Sequence, residues 1–395
     1  MSRHASFRIP ACWRAGYGAQ PGSGVGRTTA VKLRQASMTS MHVGLERLAN
    51  LGIAAPNGAT PAQVVSRLGA MQAQDYPGAL WSIGLRTAHA SEADVEHAIQ
   101  ERQIVRTWPM RGTLHFVAAP DVRWMLALLT PRVLTNAVQR AERLELDAKT
   151  LARCEKLVVR ALAGGQVISR ETLLNRLERN KISTAGSRGY HILWRLAQLG
   201  VICFGPRGGK QHTFVLLDDW LPATKPMERT AALPELARRY FTSHGPATLT
   251  DFAGWAGLRA ADARDGVDGA ASTLERVAMN NKVYWLPRRT TPRTPATGQG
   301  HLLPGFDEFV LGYKDRGAVL EGRHAAKIIP GNNGVFMPTI AMEGRIAGTW
   351  QRTVKKSATL RLMPFQRLTK AQCRALTPAV ERYARFLGMP VKWED

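Results

Sequence analysis

The sequence predicts an α+β chain built from about three tandem winged-helix motifs, with a small C-terminal β-domain. Three observations carry that expectation. Amphipathic helical patterns recur in groups of two or three, and each group is followed by short strand-like runs. The clearest group closes on Gly205-Pro206-Arg207-Gly208-Gly209-Lys210, flanked by the apolar runs 201–204 and 212–217, which is a hairpin signal. Finally, 395 residues with 45% hydrophobic content supply enough apolar material for a sizeable buried core.

Taken in order, residues 1–40 hold Arg3, Arg8, Arg14, Arg27, Lys32 and Arg34, no acid, and many Gly and Ser. They read as a disordered basic arm, a transit-peptide-like stretch, or the product of a mis-assigned start, since Met38 and Met41 lie just before the first periodic segment. The first winged helix is expected over 41–140. A helix over 61–71 is capped by Thr60 with Pro61 in its first turn, and Ser91 caps a second helix over 92–102. The run 104–117 reads as two strands meeting at Arg111-Gly112, and a long helix over 120–136 follows.

The second winged helix is expected over 141–225. Helices at 151–162, 169–179 and 187–199 precede the hairpin. On the third of these helices, Ile192, Leu193, Leu196 and Leu199 make the apolar stripe, while Arg188, His191 and Arg195 share another face. That face suits a DNA groove, and Arg207 with Lys210 at the hairpin tip suits phosphates; a solvated polar face is the alternative. Arg111 joins these five as a DNA-contact candidate. The third winged helix, over 226–299, is looser: helices at 234–244, 250–257 and 260–280, a strand at 283–287, and a basic Pro/Thr-rich loop at 288–295. Residues 300–395 read as strand-rich at 302–313, 335–350 and 359–365, closed by a helix at 370–387.

Charge narrows the partner. Lys and Arg number 54 against 30 Asp and Glu, a formal charge of +24, and the chain without its first 40 residues still carries +18. A polyanion is the natural partner. The four cysteines are scattered, without metal-site or disulfide-framework spacing, so no metal and no cofactor is expected and a reducing compartment fits. No apolar run approaches the roughly 20 residues that cross a bilayer, so no membrane partner is expected.

The chemistry-bearing candidates are few. There is no Gly-x-Ser-x-Gly elbow and no phosphate-cradling P-loop. Gln72 and Gln74 follow an apolar helical run and precede Pro77, which is expected to stop the helix there. Locally they read either as polar helix-end residues or as a pair of amides facing one small space. Such amides can orient a water, yet they lack the basicity to deprotonate it. Asp307 and Glu308 sit in an apolar context, as a functional carboxylate pair or as a turn cap and arginine partner, and His115 alternates with apolar neighbours. The roles of these three residues and of Asp75 stay open.

Several segments, in order, resemble one family. Gln72-Ala73-Gln74, the 110–116 run Met-Arg-Gly-Thr-Leu-His-Phe, the 302–316 segment around Pro304-Gly305-Phe306-Asp307-Glu308, and Asn333-Gly334-Val335-Phe336 with Gly348-Thr349-Trp350 are similar to the AlkZ/YcaQ winged-helix DNA glycosylases. The resemblance spans about 42–390. It implies tandem winged helices around a concave basic channel, a monomer acting on double-stranded DNA in a cytoplasmic, nucleoid-associated setting, and a monofunctional glycosylase without lyase activity. The implied substrates are cationic N7-alkylated purines and interstrand crosslinks, and the implied catalytic pair is Gln72 and Gln74, matching the Gln-aliphatic-Gln branch. The competing reading is a non-catalytic winged-helix DNA-binding protein or regulator, with RNA or another polyanion as a weaker option.

Overall fold

The computed structural model describes residues 33–35, 40–56, 58–209, 211–279, 281–289 and 296–394, a mixture of helices and four β-sheets. The described residues form two compact units, one of 99–232 and one made discontinuously from 33–98 and 233–394.

In the 99–232 unit, Ile104–Met110 and Thr113–Ala118 pair antiparallel through a turn at Arg111 (φ 55°) and Gly112 (φ 72°). The register shifts between Thr107 and Met110, where Pro109 has no N–H to give to a regular ladder. The expected long helix is present as Val122–Asn136. Ala148–Leu162, Arg170–Arg179 and Arg188–Gln198 follow, the first two opened by Asp147 and Ser169 side chains that accept from Thr150 and Thr172 backbone N–H groups. Ile202–Phe204 and Thr213–Leu216 form the hairpin, and Ile168–Ser169 adds a third strand on Thr213–Leu216. Cys154, Val158, Leu162, Leu173, Leu177, Ile192, Leu193 and Phe214 bury their side chains together as the core of this unit. Each such apolar side chain contributes about 1.5–3 kcal/mol on burial.

The other unit begins with Leu33–Gln35, which pairs parallel with Leu274–Met279 and so departs from the disorder expected there; the rest of the basic arm up to residue 39 lies outside the described residues. Pro61–Leu68 is closed at its start by a reciprocal Thr60–Gln63 capping box and at its end by Gly69 (φ 81°). The expectation that Pro77 stops a helix is wrong: Pro77 lies in the first turn of Tyr76–Gly84, where its missing N–H is harmless. Of the three helices expected next, the one at 234–244 begins upstream at Arg229, and Leu249–Ala256 is capped by Thr248 and Asp251 and ended by left-handed Gly257.

The helix expected over 260–280 ends at Gly269. Its second half is the strand Leu274–Met279, paired antiparallel with Lys282–Pro287 around Asn281 (φ 58°), a residue that tolerates the left-handed turn. Most of the basic Pro/Thr-rich loop, 290–295, lies outside the described residues. Beyond it, Gly300–Leu303, Thr339–Met342, Arg345–Val354, Ala358–Pro364 and Val391–Glu394 form a five-stranded sheet in that order. The strand-rich reading of 302–313 is corrected: after Leu303 the chain turns into the short helix Glu308–Leu311. Lys370–Leu387 is the terminal helix where expected, with a Thr369–Gln372 capping box and left-handed Gly388.

Candidate active site

Gln72 lies at the end of the two-residue strand Met71–Gln72, four residues past a helix that ends at Leu68 rather than at the expected residue 71. Its backbone is extended and its side chain is buried, 7% exposed, while Gln74 is exposed. The two amides lock together. Gln72 Nε2 donates to Gln74 Oε1 at 2.7 Å, and Gln74 N donates to Gln72 Oε1 at 3.1 Å. Each amide oxygen thus has one lone pair beyond this ring of bonds. Ala73, between them, is fully buried.

Asp75 precedes the Tyr76–Gly84 helix at its N-cap without making a side-chain cap bond, and its carboxylate lies over Gly78. The helix behind the motif is anchored by Tyr76, whose hydroxyl donates to Glu96 Oε2 at 2.8 Å, and by Trp81, whose indole N–H donates to the Leu302 carbonyl at 2.8 Å.

Asp307 and Glu308, adjacent in sequence, belong to two separate networks. The Asp307 carboxylate takes a bidentate pair from Arg86 at 2.8 and 2.9 Å and accepts from Ser82 Oγ at 2.8 Å and the Phe309 N–H at 3.0 Å. Burial works against its charge, but Arg86 and these donors prevail and hold its carboxyl below the usual carboxylate range. Arg86, 0% exposed, also donates to the Leu51 and Ser82 carbonyls. Asp307 is therefore the structural half of the pair. Just before it, Phe306 adopts φ 60°, costly for an aromatic residue, and a Cβ on Gly305 would stand 2.7 Å from the Phe336 carbonyl oxygen.

Glu308, 1% exposed, reaches the motif itself. Its Oε1 faces the backbone N–H of Gln72 at 3.4 Å, while Oε2 meets Trp255 Nε1 at 3.0 Å and His244 Nε2 at 3.2 Å. His244 is stacked on Tyr240, with centroids 4.6 Å apart, and its other ring nitrogen lies 2.8 Å from Ser243 Oγ. Ser82 and Arg86 lie in the continuation of the glutamine stretch, but their role, like that of His244 and Trp255, comes from pairing with residues 307 and 308, distant in the chain.

The DNA-contact candidates fall in the 99–232 unit. Arg111 sits at the left-handed turn, its Nη2 3.4 Å from His115 Nε2, while His115 Nδ1 lies 2.9 Å from the Thr113 carbonyl oxygen, so His115 belongs to the architecture of the hairpin. Arg188 donates to the Leu144 carbonyl, and Arg195 is partly exposed. The reading of His191 as part of an exposed face is corrected: it is 5% exposed and stacked on Trp194 at 5.0 Å, and burial, then Arg195 and Arg140, pushes its ring pKa down. The helix turns that residue toward the Trp194 side, and Trp194 in turn donates to the Gly112 carbonyl at 3.1 Å. Arg207 is exposed at the hairpin, and Lys210 lies outside the described residues. Among the described residues no group of three or more His, Cys, Asp and Glu is placed to hold a metal ion, and no helix is long and apolar enough to cross a membrane.

This basic α+β chain falls in a class of DNA glycosylases. The chain belongs to the family described as DNA glycosylase AlkZ-like, whose profile matches residues 65–386. It is 26% identical over 355 residues to the interstrand DNA cross-link repair glycosylase of Streptomyces sahachiroi, covering 82% of this chain and 90% of that protein. The solved structure of Streptomyces sahachiroi DNA glycosylase AlkZ superposes with a TM-score of 0.74 at 23% identity, covering 91% of this chain and 100% of the other, so the two share a fold.

Proposed function

We propose that this protein is a monofunctional glycosylase that hydrolyses the N-glycosidic bond of cationic N7-alkylated purines in double-stranded DNA and unhooks interstrand crosslinks. The observation that carries the reading is the reciprocal Gln72–Gln74 amide ring, half buried and half exposed, in a chain of this family. The name of the Streptomyces relative supports the crosslink as substrate.

An N7-alkylated guanine already carries the positive charge that an acid would otherwise have to supply. Its bond to C1′ breaks with the electron pair returning to the purine, which neutralises the base and leaves oxocarbenium character on the sugar. The remaining tasks are to aim a water at C1′ and to stabilise that charge. In this reading the free lone pairs of Gln72 Oε1 and Gln74 Oε1 accept from the water and direct its oxygen to C1′. Their carbonyl dipoles face the developing cation. The water's proton leaves to solvent, since an amide cannot hold it. No lysine attacks, so no lyase step follows.

The tandem winged helices supply the DNA-binding surface in this reading, with Arg111, Arg188, Arg195, Arg207 and Lys210 on phosphates and a channel open enough for a base still tied to the other strand. The protein works as a monomer on nucleoid DNA. The deciding experiment incubates duplexes carrying 7-methylguanine or a nitrogen-mustard crosslink with the native chain and the Gln72→Ala/Gln74→Ala double variant, then treats them with hot alkali. Base release and unhooking by the native chain and their loss in the variant are expected. No product from the native chain, or undiminished product from the variant, overturns the reading. A regulator would instead bind one sequence tightly and release no base.

A further inference from the structure

The strongest unassigned feature is the Glu308 network. Its carboxylate is inside the protein and accepts from the backbone N–H of Gln72, the buried member of the pair. We infer that Glu308 is a positioning residue: held from behind by His244 and Trp255, it fixes the Gln72 backbone N–H and thereby the aim of the Gln72–Gln74 amides. This rests on the proposed function and adds to it a residue outside the motif.

The division of labour between the two oxygens supports the assignment. Oε2 meets both Trp255 Nε1 and His244 Nε2, which hold the carboxylate in place, and Oε1 is directed at the backbone N–H of Gln72. The strand has two residues and cannot hold itself rigidly by its own length. The helix after it is anchored by the Trp81 indole bond to the Leu302 carbonyl. A donor-only indole N–H makes the arrangement intolerant of an amide at position 308. In Glu308→Gln, an oxygen kept on Gln72 N–H forces the new NH2 group against the Trp255 N–H; an oxygen turned to Trp255 leaves two N–H groups facing each other at Gln72.

The test is a single-turnover unhooking or base-release assay with DNA affinity and thermal melting measured in parallel. Glu308→Gln is expected to lower the single-turnover rate about 10- to 100-fold, as a small misplacement of positioned groups does, with DNA affinity unchanged. In a Gln72→Ala background the same substitution is expected to cost nothing further, because the amide it aims is already gone. Trp255→Phe, which keeps the ring and the carboxylate but deletes one donor, is the second variant should Glu308→Gln fail to fold, and it is expected to show a smaller loss with the same dependence on Gln72. Losses that multiply across the two sites, or a native rate in both variants, overturn the inference.

Hydrogen exchange separates this from a failure of the proposed function. Even if the native chain releases no base, the peptide carrying Gln72 should exchange faster in Glu308→Gln and Trp255→Phe than in the native protein. Unchanged exchange there overturns the positioning role whatever the activity.

Discussion

Gln72 and Gln74 are coupled, because turning the Gln72 amide breaks both contacts and turning the Gln74 amide breaks the one between the side chains. Either Ala substitution alone is therefore expected to remove most of the catalysis, about 10²-fold in single-turnover rate, and the double variant little more. A double loss equal to the product of the single losses would contradict the coupled pair. Arg86 and Asp307 form the other residue-scale device. Arg86→Met leaves a buried carboxylate without its cation, and a loss of about 3–5 kcal/mol in unfolding free energy is expected by denaturant titration. Asp307 also sets a pH dependence. Its folded pKa is depressed, so its contribution is complete above the unfolded value of about 3.9 and disappears as pH falls through the lower folded value. Melting from pH 5 downward should lose stability below about pH 4, and Asp307→Asn should remove that part of the slope.

Among the elements, the strand Gly300–Leu303 carries a second titrating group. His301 is buried, and burial, with Arg382 adding to it, pushes its pKa down to about 4. The folded protein keeps the ring neutral while the unfolded chain takes up a proton near pH 6.5. Stability is therefore complete above about 6.5 and falls as pH drops toward 4, by an amount on the order of 3 kcal/mol. Denaturant titrations across that window are expected to show the loss, and His301→Gln to flatten it; an equal slope in the variant would place the proton elsewhere. The helices are more legible than the strands. Thr369 and Gln372 announce the start of the terminal helix and Gly388 its end, because caps are local chemistry. Leu274–Met279 read as helix because Leu-Glu-Arg-Val-Ala-Met has good helix formers, and only its pairing with 33–35 and 282–287 makes it a strand.

For the whole molecule, the net charge of +24 is expected to dominate association with DNA. Affinity for duplex is expected to fall steeply with salt, log K against log salt having a slope of about −0.9 per phosphate contacted, with little change between duplex sequences. A shallow slope or one preferred sequence would favour a regulator. Within the DNA-contact set, Arg195→Ala and Arg207→Ala should each reduce the slope by about one phosphate, whereas a substitution at buried His191 should act through folding and leave the slope unchanged. The two units also divide the work as the chain order does not suggest: 33–98 and 233–394 fold together and contain the glutamine pair, both carboxylates and the residues that support them.

The sequence by itself determined the helical groups, the hairpin at 202–216, the basic charge and the glutamine motif, since caps, turns, periodicity and charge are written in neighbouring residues. Tertiary structure alone decided that Pro77 starts a helix, that His191 is buried, and that Asp307 and Glu308, side by side in the chain, serve different partners. Those outcomes depend on groups up to 236 residues apart meeting in space, and a buried carboxylate takes its role from the donors that surround it.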